Sequence, residues 1–257
     1  TDGRRYLDGA GGAVVVNAGQ AGYYRTLYGD AQFTALGKDF ARLDAIDQLG
    51  MMNDTWALGL AGLRPASDYL ELARGVPVDA DPAIWADIAG TLGSIDGHLK
   101  GNPEARERFQ AYARGVLQPV FDRIGWTAKP GDSAPVQLLR TTLIGTLAGL
   151  EDAAVIAEAR RRFAAGPDDV QAMPPALRSL ITAIVANKAD AATWDRLHAM
   201  ARAEKTPLIK NELYGLLGIA EDKALARRAL ELALTDEPGA TNSAGMIRGV
   251  AGQHPDM

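Results

Sequence analysis

The chain has 257 residues, of which 27 are basic and 32 acidic, giving a formal charge of −5; 47% are hydrophobic and 23% charged. That length can bury a sizeable core, and the acidic balance argues against nucleic acid as the main partner, because phosphate binding needs a basic face. The chain contains no cysteine, which excludes disulfides and thiolate metal sites but leaves the compartment, cytoplasmic or periplasmic, open.

The first residues, TDGRRYLDGAGG, contain no apolar signal core and no initiating methionine, and read as something other than a natural start. No apolar run reaches the ~18 residues of a membrane span. The segment Val14 to Tyr28, VVVNAGQAGYYRTLY, then opens with a β-branched run suited to a buried strand. Gly19 and Gly22 punctuate it with backbone freedom that other residues lack. A single strand implies partners elsewhere: either a hairpin with some of residues 4–8, or a larger sheet from which the chain has been cut.

After Asp30 the apolar period changes from two to about 3.6. Phe33, Leu36, Phe40, Leu43, Ile46 and Leu49 predict one helical face. Further stripes run Ile84 to Leu99, Phe109 to Ile124, Val136 to Leu150 and Ile156 to Phe163, then Leu177 to Ile184, Trp194 to Ala201, Ile209 to Leu216 and Leu225 to Leu232. Asp81-Pro82, Asn102-Pro103 and Thr206-Pro207 each set a capping side chain before a proline at the first helical position; Ser133 before Pro135 and Pro174-Pro175 are looser forms. The acid pairs Glu151-Asp152, Asp168-Asp169 and Glu221-Asp222 are expected at helix starts, favouring the positive end of the helix dipole.

Ten or more such helices on short turns fit a compact bundle or a stack of antiparallel pairs. The spacing of successive pairs, near the ~40 residues of HEAT and armadillo units, favours an all-α solenoid with a short N-terminal β segment. Residues 1–30 are then a terminal β segment and residues 31–257 a helical domain.

The chain carries no visible catalytic constellation. His98, His198 and His254 stand apart, with no H-E-x-x-H pair to bind zinc, and no nucleophile elbow or phosphate loop occurs. No catalytic and no metal-ligating residue is assigned. Arg160-Arg161-Arg162 reads as a solvated helix face, and Trp56, Trp85, Trp126 and Trp194 read as core packing.

NAGQAGYYRTLYGD, through Asn17, Gly19, Gly22, Tyr23, Tyr24, Arg25 and Tyr28, resembles the segment leading into the C-terminal helical domain of zinc aminopeptidases of the aminopeptidase N family. Their pattern is approximately N-x-G-x-x-G-Y-Y-R-V-x-Y, with Thr26 here in place of valine. Leu49, Asn53-Asp54 and Leu58, then Leu117 to Trp126, Gln137 to Arg140 and Pro174 to Arg178, continue the resemblance in order. It implies a non-catalytic cap whose parent enzyme holds the zinc in an upstream catalytic domain, followed by a β-sandwich. The cap would enclose the active-site chamber and help bind peptide substrates. Arg140 and Arg178 are its candidate carboxylate-binding residues, against the alternative of structural salt bridges. Neither catalytic motif of that family is present, so no catalytic role carries over. The partners implied are the upstream catalytic and β-sandwich domains of the same polypeptide. A free-standing helical-repeat scaffold for protein–protein interaction, and an independent enzyme, remain as alternatives. The arginine excess, 20 against 7 lysines, and the abundant alanine hint at a GC-rich bacterial source.

Overall fold

The structure is a computed structural model that describes residues 13–257. All regular structure among the described residues is helical: twelve α-helices and two short 3-10 turns, with no strand. Val14 to Val16 lead without a ladder into a 3-10 turn at Ala18–Gln20, because a strand exists only through its neighbours and none is present among the described residues. Residues 1–12, including the alternative hairpin partner at 4–8, lie outside the described residues.

The chain divides into two compact units, one ending at Leu150 and the other Glu151–Met257. The first holds α1 (Asp30–Lys38), α2 (Ala45–Leu60), α3 (Ala66–Gly75), α4 (Pro82–His98), α5 (Pro103–Ile124) and α6 (Ala134–Gly149). The single helix expected from Phe33 to Leu49 is in fact broken. Gly37 and Asp39, both weak helix formers, end α1, and a 3-10 turn at Phe40–Arg42 seats Phe40 in the core before α2 starts. Within this unit α4 packs between α2 and α6, and consecutive helices pair at α2–α3, α4–α5 and α5–α6. Ile88, Leu92, Leu117, Leu143 and Leu147 are completely buried along these faces.

The second unit holds α7 (Ala153–Ala165), α8 (Pro175–Asn187), α9 (Ala191–Ala203), α10 (Pro207–Leu217), α11 (Lys223–Ala233) and α12 (Ala240–Gln253). Here α7–α8, α9–α10 and α11–α12 pair, while α10 packs on both α8 and α12. Alternate helices thus form one layer, as in a solenoid of helix pairs. The odd helices start alike: Asp152, Asp190 and Asp222 accept from backbone N–H groups two or three residues on. The turns before them are linked. The Glu221 N–H donates to the Asn187 carbonyl, and Asn187 Nδ2 donates to the Ile219 carbonyl at 3.0 Å. Lys188 Nζ bridges Glu151 at 2.5 Å and Glu221 at 2.6 Å, and His254 Nε2 donates to the Ala220 carbonyl.

Several local expectations needed adjustment. Asp81 and Asn102 cap their helices with side-chain oxygens, whereas Ser133 and Thr206 accept no capping bond. Asp168-Asp169 lies in the turn between α7 and α8, where Asp169 accepts from the Gln171 and Ala172 N–H groups. Of the arginine run, Arg162 is buried against Glu158 and the Ala172 carbonyl; only Arg160 and Arg161 face solvent.

Candidate functional site

The motif Asn17 to Tyr28 folds as a closed turn clasped to one face of α2. Asn17 takes the left-handed conformation at φ 65°, which its short amide tolerates. Its Oδ1 accepts from the Gly22 N–H at 2.6 Å, and its Nδ2 donates to the Gly22 carbonyl at 3.0 Å. Gly19 sits at φ 74°, where glycine is unstrained. Gly22 has no room for a β-carbon, which would lie 2.3 Å from the Tyr24 ring.

Asp47, Gly50 and Asp54 stand at i, i+3 and i+7 on α2 and therefore share a face. Asp47 Oδ1 accepts from the Gly19 N–H at 2.7 Å. Asp54 holds the Arg25 guanidinium at 3.1 Å through one oxygen and the Thr26 N–H at 2.9 Å through the other. Between them the side chain of Gln20 lies over Gly50. Both carboxylates are buried, so these donors replace the water they have lost. Tyr28 closes the far end: its hydroxyl accepts from the Val16 N–H at 2.9 Å and donates to the Val16 carbonyl. Burial raises the Tyr28 hydroxyl above the usual tyrosine range, outweighing the Val16 contact, with Asp54 and Asp47 adding to the rise. Arg64, stacked 3.9 Å over the Phe33 ring and paired with Asp68, donates to the Tyr28 carbonyl at 2.8 Å. Tyr23 is fully exposed, and Tyr24, whose ring lies against Gly22, is exposed as well. Asp47, Gly50 and Gln20 were missed from sequence; their signal was the heptad spacing of the two acids about a glycine.

The two arginine candidates have different surroundings. Arg140 is buried, ion-paired to Asp132 and donating to the Gly125 carbonyl at 3.0 Å. Arg178 is exposed and lines a cavity of about 610 Å³ in the second unit, between α8, α9 and α10. Phe163, Met173, Met200 and Leu213 form much of its wall, with Arg196 stacked 4.7 Å over Phe163. Arg178 donates only to the Pro167 carbonyl, at 3.0 Å, among the described residues. Sequence reading missed Arg196 and Met200, since nothing in their spacing brings them to Arg178.

The histidines are dispersed. His98 bonds the Ser94 carbonyl, His198 bonds Glu237 at 2.6 Å, and His254 bonds the Ala220 carbonyl. No group of three His, Cys, Asp or Glu side chains among the described residues could hold a metal ion, so the zinc implied by the resemblance has no fitting donor set in them. Among the described residues no helix is long and apolar enough to cross a membrane.

Comparison with known proteins gives these features a context. The chain is 29% identical to Aminopeptidase M1-A of Oryza sativa subsp. japonica over 92% of its own length and 28% of that protein's. It is 30% identical to Aminopeptidase 2 of Candida albicans over 73% of its length and 21% of that protein's, and 24% identical to Glutamyl aminopeptidase of Mus musculus over 82% and 23%. The chain thus spans about a quarter of the length of these relatives. They come from a plant, a yeast and a mouse, so a bacterial source rests on composition alone. The ERAP1-like C-terminal domain family matches residues 13–256, which covers both helical units and the clasped motif: the chain belongs to the ERAP1-like C-terminal domain family.

Proposed function

We propose that this chain is the C-terminal helical domain of a zinc-dependent aminopeptidase, non-catalytic by itself, that encloses the active-site chamber and helps to bind peptide substrates. The observation that supports it most is the alignment of nearly the whole chain with a quarter of the length of proteins named as aminopeptidases. On this reading the zinc and its ligands belong to a catalytic domain earlier in the polypeptide, followed by a β-sandwich whose last segment reaches residue 30. The helical domain, 31–257, excludes water and bulky substrates and orients the peptide downstream of the scissile bond.

The cavity at Arg178 suits that task. A guanidinium with free donors recognises a peptide carboxylate in bidentate fashion, and the flexible thioethers of Met173 and Met200 adapt to varied apolar side chains. Arg178→Ala in the full-length polypeptide tests the reading: KM for peptides of several residues rises several-fold with kcat little changed, and single aminoacyl reporters are unaffected. An unchanged KM for every peptide length contradicts the role given to Arg178.

A further inference from the structure

On the outer side of the clasp, Tyr23 is fully exposed at 108%, Tyr24 at 56% and Leu27 at 52%. Three large side chains in five residues make a concentrated patch, in contrast to singly scattered exposed apolar residues that need no explanation. Their backbone is held from the opposite side. Asn17 closes the turn on Gly22, Asp54 grips Arg25 and Thr26 immediately after the two tyrosines, and Arg64 holds the Tyr28 carbonyl. A fixed backbone presenting tyrosines loses little conformational entropy on docking, and tyrosine gives apolar area together with a hydroxyl that accepts and donates. These are properties of an interface hot spot.

We infer that Tyr23, Tyr24 and Leu27 form the docking surface by which this terminal segment packs against the rest of the folded β-sandwich that precedes it in the same polypeptide, with Asp47 and Asp54 holding the patch rigid against α2. The inference rests on the proposed function. Its occupant follows from two facts. The family is a C-terminal domain, and the relatives are about four times longer than the chain, so most of their length stands before the matching part. The patch also begins only ten residues after residue 13, the start of the family match, so a preceding domain is tethered beside it at high effective concentration. The surface it offers should be apolar with polar groups placed for two phenolic hydroxyls.

Hydroxyl-radical footprinting read by mass spectrometry tests this on the 257-residue chain and on the full-length polypeptide. The expected result is several-fold slower oxidation of Tyr23 and Tyr24 in the full-length polypeptide, with exposed Leu208 and Leu234 unchanged, and loss of a shared melting transition in the Tyr23→Ala/Tyr24→Ala variant. Equal oxidation in both proteins, where a preceding domain is present, overturns the docking surface and leaves the functional reading standing. A reading frame that begins near Thr1 overturns both. Protection that instead grows with concentration of the 257-residue chain assigns the patch to a second copy and overturns the inference.

Discussion

The side-chain amide of Gln20 occupies the space into which a β-carbon on Gly50 would project, within 2.1 Å of that position. Gly50 is buried in the middle of α2, where glycine costs a helix about 0.5–1 kcal/mol relative to alanine, and the notch it leaves is what admits the clasp. Gly50→Ala should therefore have two opposed effects. The helix gains propensity, so global stability stays within about 1 kcal/mol of wild type, while Gln20 is expelled and its contacts with Asp47 and the Asn17 carbonyl are lost. Hydrogen exchange at residues 17–22 should accelerate with little change in the melting temperature. Unchanged exchange at these positions contradicts the notch.

Gly218 presents the opposite case. A β-carbon there would lie 2.5 Å from the Met246 carbonyl oxygen, and one on Gly249 would lie 3.3 Å from the Gly218 backbone. Both obstacles are backbone, so no side chain can swing aside. Gly218→Ala should force α10 and α12 apart and destabilise by about 1–3 kcal/mol, the usual range for overpacking. Thermal or urea unfolding measures it, and a neutral substitution contradicts the close crossing.

Arg140 and Arg178 should separate in stability. Arg140→Ala removes a buried guanidinium together with its bonds to Asp132 and the Gly125 carbonyl, and should lower the urea midpoint clearly. Arg178→Ala touches an exposed side chain and should leave the urea midpoint unchanged. Equal midpoints for Arg140→Ala and wild type contradict a structural role for Arg140.

Acid stability should depend on Glu237. Burial pushes its carboxyl up, but hydrogen bonds from His198 and Tyr214 outweigh this, and the group sits below its ordinary value of 4.5. A carboxyl lowered in the folded state contributes stability above its unfolded value and loses it as pH falls through the folded one. The stability difference between wild type and Glu237→Gln should thus be greatest above pH 4.5 and close below it. A difference that is flat with pH contradicts the arrangement. The neighbours of His198 in this cluster are Trp194, Tyr214 and Glu237, with Arg202 4.0 Å from Glu237.

Much of this architecture is legible in the sequence, for reasons that differ by element. The stripes from Ile84 to Leu99 and from Phe109 to Ile124 fall inside α4 and α5 or within a residue of their ends, because long apolar faces and Asp-Pro or Asn-Pro starts act together. The helix α12 has no such stripe. It buries only Met246 and Val250, and its glycines, which weaken any helical signal, are what allow the close approach to α10. The short helix α3 was missed as well; its burial rests on Tyr69, Leu72 and Ala73 within a single turn and a half. The clasp was legible as a motif but not as a shape. The value of Asp47 and Asp54 lies in which backbone N–H groups reach them, 28 residues away in the chain, and that depends on tertiary folding. The same holds for Arg140 and Arg178, identical in type and separated only by burial.

The most direct test of the central claim is an assay of the purified 257-residue chain on aminoacyl reporter substrates, combined with metal analysis. A non-catalytic domain predicts no turnover above the blank and no stoichiometric zinc. Zinc-dependent turnover by this chain alone would contradict the account.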